Sequence, residues 1–233
     1  MENWLDRTEN LIGKDALNIL KESNIAVFGC GGVGSYAIEG LVRAGIGNIT
    51  IIDNDTVSIT NINRQLIADT TTVGQFKVDV EEDRLKKINP YLNITKINDF
   101  YSSDNSDKIL SNKFDYVIDA IDSIKSKLYL IEQCKKLDVP IISSMGTGNK
   151  LDASKFEITD ISKTSVCPLA KIIRKELKKK NINHLKVLYS RELPVKNTIN
   201  SIASISFVPS VAGLLIAEEV VKDLVNKKNN NIS

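Results

Sequence analysis

Short apolar runs alternate with longer amphipathic segments along most of the chain. Each run has the length of a buried strand, and each longer segment repeats its apolar positions at helical spacing. The pattern predicts strands at 25–28, 49–52, 93–97, 116–118 and 139–142, with later candidates at 156–158 and 186–189. It predicts helices at 32–43, 74–88, 123–137, 169–180 and 204–226. A polar loop, 54–72, follows the second strand.

This alternation is typical of an α/β protein. We expect a Rossmann-like, doubly wound and mainly parallel sheet with helices on both faces. The pattern becomes irregular after residue 148. We therefore expect one domain over 1–233, with a core of about 1–148, a substrate-side C-terminal extension of about 149–228 and a frayed tail at 229–233.

Charge and cysteine content limit which kinds of binding site the protein can have. The chain has 31 Lys+Arg against 29 Asp+Glu, a net charge of +2, so any affinity for nucleic acid must come from a local patch. Cys30, Cys134 and Cys167 form no CxxC pair, and His184 is the single histidine. We therefore expect no zinc site and the reduced thiols of a cytoplasmic protein.

No targeting or membrane segment is expected. The first nine residues are charged and have no apolar signal core. The longest apolar stretch, 207–217, is interrupted by Pro209 and Ser210 and is followed by charged residues. A membrane-spanning helix needs about 20 apolar residues, so this stretch indicates a buried amphipathic helix.

A glycine-rich turn is the strongest local signal for chemistry. The sequence Gly29-Cys30-Gly31-Gly32-Val33-Gly34 follows the first strand and opens the first helix. Glycines let backbone amides approach a polyphosphate, and a helix N-terminus favours its negative charge. Asp53 ends the next strand, where a carboxylate can hold ribose hydroxyls. The glycine spacing fits a dinucleotide as well as ATP.

Four further features favour a triphosphate. Asn61-Ile62-Asn63-Arg64-Gln65 follows the second strand, Lys77 begins the next helix, Asp119-Ala120-Ile121-Asp122 ends the fourth strand, and Arg7 lies near the N-terminus. Cations and an aspartate that can bind a metal suit a triphosphate better than a nicotinamide. A dehydrogenase also needs a proton donor, and His184 lies in an unpromising late segment.

Together these residues resemble the ATP-binding set of the ubiquitin-activating-enzyme-like adenylating superfamily, which includes the ThiF family. The set comprises Gly29, Gly31, Gly32, Gly34, Asp53, Asn61, Arg64, Gln65, Lys77 and Asp122. Within the superfamily the chain is most similar to the tRNA threonylcarbamoyladenosine dehydratases, at 7–8, 163–164, 168–170, 189–194 and 206–213. Cys167 departs from that branch, which often has aspartate at this position, so a role tied to that carboxylate is not carried over.

The resemblance implies an ATP-dependent enzyme. Asp122 would bind Mg²⁺, while Arg64, Lys77 and the Arg7 of a homodimer partner would neutralise phosphate charge. A substrate carboxylate would attack the α-phosphate to form an acyl-adenylate and release pyrophosphate. In the dehydratases that carboxylate belongs to a threonylcarbamoyl group beside the tRNA anticodon. The adjacent urea then displaces AMP and closes a ring. The resemblance also implies a monovalent cation, Na⁺ or K⁺, and leaves open a sulfur-transfer protein partner.

Three other functions stand beside this one. Adenylation of a ubiquitin-like sulfur-carrier protein is disfavoured because the zinc cysteines of that branch are missing. A dehydrogenase is disfavoured by Arg64, Lys77 and Asp122, and the same residues argue against a non-catalytic module.

Cys167 has two interpretations, an incidental thiol or a catalytic thiol for modifier transfer. No cationic cluster adjoins it in sequence, which favours the incidental thiol.

The predicted helix 169–180 has strongly patterned charge. Leu169, Ile172, Ile173 and Leu177 share one face, and Lys171, Arg174, Lys175 and Lys178 share the other. Two interpretations remain open. The basic face is a solvated helix surface whose lysines suit the helix dipole, or it is a ridge that contacts tRNA phosphates.

Overall fold

A seven-stranded sheet organises the chain in a computed structural model that describes residues 3–196 and 202–229. The strands are β1 (Asn24–Phe28), β2 (Asn48–Ile52), β3 (Asn93–Ile97), β4 (Tyr116–Asp119), β5 (Ile141–Ser144), β6 (Phe156–Asp160) and β7 (Lys186–Ser190). Their order in the sheet is β3-β2-β1-β4-β5-β7-β6, and β6 alone runs antiparallel to its neighbour. The prediction of a doubly wound, mainly parallel sheet is confirmed.

Eight α-helices lie around the sheet within the described residues. They are α1 (Asp6–Ile12), α2 (Lys14–Glu22), α3 (Gly34–Ala44), α4 (Lys77–Ile88), α5 (Ser106–Leu110), α6 (Ile124–Lys136), α7 (Pro168–Lys179) and α8 (Phe207–Asn229). Helices α1, α2 and α5 were not among the predicted elements. None of the helices in the described part of the chain combines the length and the apolar character needed to cross a bilayer.

Two hydrophobic cores lie on opposite faces of the sheet, and alternate side chains of a strand enter different cores. Ile25 and Val27 of β1 enter one core with residues of α2, α3, α4 and α8, whereas Ala26 and Phe28 enter the other with residues of α6 and α7. Because successive side chains of a strand point to opposite faces, β1 contributes to both cores, as do β2, β3, β4, β5 and β7. The sheet is therefore covered on both sides.

Helix α8 packs very closely on α3, and this contact fixes one wall of the later site. A Cβ built on Gly213 would lie 2.3 Å from the carbonyl oxygen of Val33 and 2.8 Å from Cβ of Tyr36. A Cβ built on Gly40 would lie 2.9 Å from Cβ of Ala217. Small residues on both helices let the backbones approach, which brings the start of α8 against the glycine-rich turn.

The C-terminal extension joins the same sheet as the core. β7 pairs in parallel with β5, and β6 pairs with β7. The division of the chain at about residue 148 stays a prediction about substrate contact. The tail that we expect to fray lies outside the described residues from position 230 onward.

Candidate nucleotide site

A cavity of about 840 Å³ opens where the carboxyl ends of β1, β2 and β4 meet. Strand order reverses between β1 and β4, because β2 and β3 continue to one side of β1 and β5 continues to the other side of β4. Ligands of open α/β sheets bind at such a reversal. The volume lies within the range of small-molecule sites, about 300–1,000 Å³.

Most of the residues predicted to bind the nucleotide surround this one cavity. Gly29, Gly31, Gly32, Asp53, Asn61, Arg64, Gln65, Lys77 and Asp122 line it. Gly34 does not line it but is the first residue of α3, directly after the turn. Residues more than 90 positions apart in the sequence therefore share one site.

The turn itself requires glycine at two positions. Gly29 has a φ of +96°, and a Cβ there would lie 2.7 Å from the carbonyl oxygen of Ala120. A Cβ on Gly34 would lie 1.7 Å from the carbonyl oxygen of Gly29, which is a direct overlap. The turn is thus folded tightly between β4 and the N-terminus of α3, whose dipole favours an anion there.

Asp53 lies at the end of β2 beside the turn. Its Oδ2 accepts a hydrogen bond from the backbone N–H of Cys30 at 2.7 Å, and its Oδ1 accepts from the N–H of Asp55 at 2.8 Å. Burial raises the pKa of the Asp53 carboxyl, while nearby Lys77 opposes that increase. These contacts hold the carboxylate at the cavity wall, where it can accept from ribose hydroxyls.

Two cations line the cavity, Arg64 from the loop after β2 and Lys77 from the start of α4. Arg64 donates from Nη1 to the carbonyl oxygen of Thr60 and to Oδ1 of Asn63, both at 3.0 Å. Nζ of Lys77 lies 2.6 Å from Oδ2 of Asp55 and 3.9 Å from Oδ1 of Asp53. Both cations line the same cavity as the glycine-rich turn.

Gln65 and Asn61 occupy the same loop with different contacts. Oδ1 of Asn61 accepts from the backbone N–H of Ser58 at 3.0 Å, which closes the 3₁₀ turn Ile59–Asn61. The side-chain oxygen of Gln65 is buried and takes no hydrogen bond from any described residue. Asn61 therefore shapes the loop, whereas Gln65 retains an unused acceptor at the cavity.

Asp122 follows β4 and is exposed at the cavity. Its carboxylate makes no hydrogen bond or ion pair with another residue of the described part of the chain. Its neighbour Asp119 is fully buried and accepts from the N–H of Ile121 at 3.1 Å. The free carboxylate is therefore carried on a turn that a buried aspartate holds in place.

A buried ion pair that was not predicted from the sequence supports this turn. Nζ of Lys127 donates to Oδ2 of Asp119 at 2.9 Å, to Oγ of Ser143 at 3.3 Å and to the carbonyl oxygen of Ser144 at 3.1 Å. Ser143 also donates to Oδ2 of Asp119 at 2.6 Å. In the sequence Lys127 is only a lysine one turn into a predicted helix, and such a lysine normally lies on the surface. Its burial becomes evident only from the fold.

Other cavity residues were also missed in the sequence. They include Asp55, Asp99, Phe100, Tyr101, Ser126, Thr147, Gly148, Ile202, Ser204 and Pro209. Asp99 follows β3 and could have been found, because the end of β3 lies on the same sheet edge as the ends of β1 and β2. Thr147 and Gly148 follow the end of β5. Ile202, Ser204 and Pro209 approach only through the C-terminal extension, so the pattern of nearby residues in the sequence did not indicate them.

Arg7 is not brought to the cavity of its own chain. It lies exposed on α1, makes no hydrogen bond or ion pair within the described residues and does not line the cavity. Helix α1 has no buried residue of its own. The structure therefore leaves this guanidinium available to another molecule.

Four cations were predicted on the charged face of α7, and three of them, all lysines, are exposed and unpaired within the described residues. Lys171, Lys175 and Lys178 are exposed and make no ion pair with the rest of the described chain. Arg174 instead donates to the carbonyl oxygens of Ile161 and Thr164, at 3.3 and 3.0 Å, and its guanidinium is half-buried. Arg174 thus fastens the preceding loop to the helix.

The three cysteines are buried and unpaired. Burial raises the pKa of the Cys30 thiol, with Glu81 and Asp53 adding to the increase. Burial raises the pKa of Cys134 to about 12. Cys167 lies at the start of α7, 3.7 Å from a Cβ built on Gly146, and is 3% exposed. Its burial is consistent with the interpretation of an incidental thiol.

Comparison with known proteins agrees with this geometry. The sequence profile of the ThiF family matches residues 5–233. The tRNA threonylcarbamoyladenosine dehydratase of Bacillus subtilis (strain 168) is 43% identical over 243 residues, which cover 97% of this chain and 96% of that protein. The dehydratase of Escherichia coli (strain K12) is 42% identical over 178 residues, 75% of this chain and 66% of that protein.

The crystal structure of E. coli tRNA N6-threonylcarbamoyladenosine dehydratase in complex with ATP has the same fold. It superposes with a TM-score of 0.91 at 34% identity and covers 96% of this chain and 94% of the other.

Glu81 generates a prediction about stability. It lies on α4 one turn after Lys77, is fully buried, and neither carboxylate oxygen has a hydrogen-bond partner in the described structure. Burial raises its pKa well above the ordinary value, Glu39 and Asp53 add to the increase, and Arg84 opposes it. The folded protein therefore keeps Glu81 protonated where the unfolded chain ionises it.

We expect stability to fall as pH rises above about 4.3, the pKa of an unfolded glutamate, until the raised folded pKa is reached. Glu81→Gln should remove this loss and increase the free energy of unfolding at pH 8 by about 1–3 kcal/mol. Urea unfolding of both proteins at pH 4 and pH 8 measures this change in the free energy of unfolding. Glu82→Gln is the matched control, because Lys86 and Lys96 lower the pKa of Glu82, and it should destabilise at pH 8. Equal effects of the two substitutions would contradict the assignment.

Proposed function

Because the chain belongs to the ThiF family, we propose that it is an enzyme that uses ATP to dehydrate threonylcarbamoyladenosine next to the anticodon of tRNA. One observation carries the proposal. The glycine-rich turn, two cations and a free aspartate surround one cavity in a chain that is 43% identical, over nearly its whole length, to a protein of that activity.

The reaction divides into two displacements. In the first, an oxygen of the threonylcarbamoyl carboxylate bonds to the α-phosphorus of ATP, and the bond to the leaving pyrophosphate breaks. In the second, the adjacent urea group attacks the activated carbonyl, AMP leaves and the ring closes. The substrate loses the elements of water overall, and ATP becomes AMP and pyrophosphate.

The residues of the chain act on the charge of the first step. Backbone amides of the glycine-rich turn, with Arg64 and Lys77, bind the phosphates and stabilise the charge that develops on them. Asp53 holds the ribose and so fixes the α-phosphorus relative to the carboxylate. Each well-placed contact of this kind contributes about 3 kcal/mol to lowering a barrier.

Asp122 fits a hard divalent cation. Mg²⁺ takes one or two carboxylates and completes its shell with substrate phosphates and water. The exposed, unpaired carboxylate of Asp122 at the cavity supplies such a ligand. When bound, Mg²⁺ would screen phosphate charge. A monovalent cation, a sulfur-transfer partner and a cytoplasmic location stay predictions of the sequence.

An assay of nucleotide products tests the proposed function. The purified protein with ATP, Mg²⁺ and tRNA that carries threonylcarbamoyladenosine should release AMP, and the same tRNA without the threonylcarbamoyl group should release none. Asp122→Asn should reduce AMP release by at least about 100-fold, because an amide is a poor ligand for a hard cation. AMP release with a sulfur-carrier protein instead of tRNA would contradict the proposal.

The excess of acidic residues in the cavity supports the proposal that a second subunit supplies a cation to it. Asp53, Asp55, Asp99 and Asp122 line it, against the two cations Arg64 and Lys77. A polyanionic triphosphate needs further positive charge, and a metal ion provides only part of it. We propose a homodimer in which Arg7 from one protomer enters the site of its partner.

Complementation tests this arrangement. Arg7→Ala and Asp122→Asn should each inactivate the homodimer. Subunits mixed one to one and reassociated should regain about one quarter of wild-type activity, because half of the dimers then contain one intact site of two. If Arg7 served its own chain, the mixture would stay inactive.

We propose that the three free lysines of α7 contact tRNA phosphates. Helix α7 begins beside Gly146, whose neighbours Thr147 and Gly148 line the cavity. Lys171, Lys175 and Lys178 follow one another at helical spacing, about 6 and 4.5 Å along the axis. A tRNA backbone on this ridge would place a modified base at the cavity mouth.

Substitution of Lys171, Lys175 and Lys178 by Gln should weaken tRNA binding and lower the slope of log K against log salt by about two to three. Filter binding at several salt concentrations measures both. Lys21, Lys87 and Lys108, exposed lysines on α2, α4 and α5, provide the matched triple control. ATP affinity should not change in either variant. Equal losses of tRNA affinity in the two triples would contradict the ridge.

A further inference from the structure

The ammonium of Lys77 is tied to Asp55 in two ways. Thr56 and Phe76 form an antiparallel bridge, which sets Asp55 and Lys77 opposite each other. The backbone N–H of Lys77 donates to the carbonyl oxygen of Asp55 at 3.0 Å, and Nζ lies 2.6 Å from Oδ2. The same short bridge therefore closes the loop and pairs the charges.

The two partners differ sharply in exposure. The Lys77 side chain is 6% exposed, whereas the Asp55 side chain is 59% exposed and lines the cavity. A buried ammonium requires a nearby acceptor. An exposed carboxylate can leave at small cost, because water solvates it. Asp53 remains near Lys77 but lies at 3.9 Å and is already bound to two backbone N–H groups.

Arg64 shows that this pairing is specific to Lys77. Within the described residues the Arg64 guanidinium donates to neutral oxygens of Thr60 and Asn63. A phosphate that approaches Arg64 displaces no anion. A phosphate that approaches Lys77 meets the carboxylate of Asp55 on the same ammonium.

We propose that Asp55 substitutes for phosphate at Lys77. Its carboxylate holds the ammonium when no polyphosphate is bound and is released when one binds, so Asp55 competes with both ATP and pyrophosphate. The proposal rests on the proposed use of ATP. Asp55 is then a positioning residue that limits affinity for polyphosphates and promotes departure of the pyrophosphate product.

Calorimetric binding of ATP, pyrophosphate and adenosine tests the competition. Asp55→Asn keeps the backbone acceptor and the shape of the side chain but removes the charge. It should tighten binding of ATP and of pyrophosphate by up to about fivefold, the range of an ion pair whose carboxylate is exposed. Adenosine, which lacks phosphates, should bind with unchanged affinity. Asp55→Ser serves as a second variant with the same expectation.

A double-mutant cycle with Lys77→Met separates competition from general charge. In that background Asp55→Asn should no longer change ATP affinity. Persistent tightening there would show a general field effect, and weaker ATP binding by Asp55→Asn alone would show that Asp55 orients Lys77 for phosphate. Either result overturns the proposal. A wild-type protein that fails to bind ATP contradicts the proposed function instead.

Discussion

The buried cluster of Lys127, Asp119 and Ser143 is the interaction on which the site depends. An ion pair without access to water is stable only when its remaining hydrogen-bonding capacity is satisfied, and here hydroxyl and carbonyl oxygens at the end of β5 satisfy it. The cluster joins the ends of β4 and β5 beneath the turn that carries Asp122. Loss of one partner would leave a buried charge, so the ends of these strands are fixed together.

The main features of the fold followed from the periodicity of apolar residues, and the departures have identifiable causes. Strand β5 was predicted at 139–142 but spans Ile141–Ser144, because its last residues are buried serines whose hydroxyls bond to polar groups. Helix α4 was predicted from residue 74 but begins at Lys77, because Phe76 pairs with Thr56. Helix α1 buries no residue and so has no apolar stripe to detect.

The site was predictable to the extent that its residues follow strand ends. Asp53 and Asp122 were found in this way, and Arg64 and Lys77 were found through their charge. Asp55 and Lys127 were not, because their importance lies in a partner that the fold supplies. Arg174 shows the converse: its position on a basic helical face is clear in the sequence, but its hydrogen bonds to Ile161 and Thr164 are not.

The contact of α8 with the glycine-rich turn has a consequence for biosynthesis. The built Cβ of Gly32 would lie 3.2 Å from Cβ of Pro209, and that of Gly29 would lie 2.7 Å from Ala120. The turn emerges from the ribosome early, but its neighbours are translated much later. At about 5–20 residues per second the nascent chain exposes an incomplete turn for many seconds. The wall of the cavity that Ala120 and Pro209 form is therefore completed only after residue 209 has been translated.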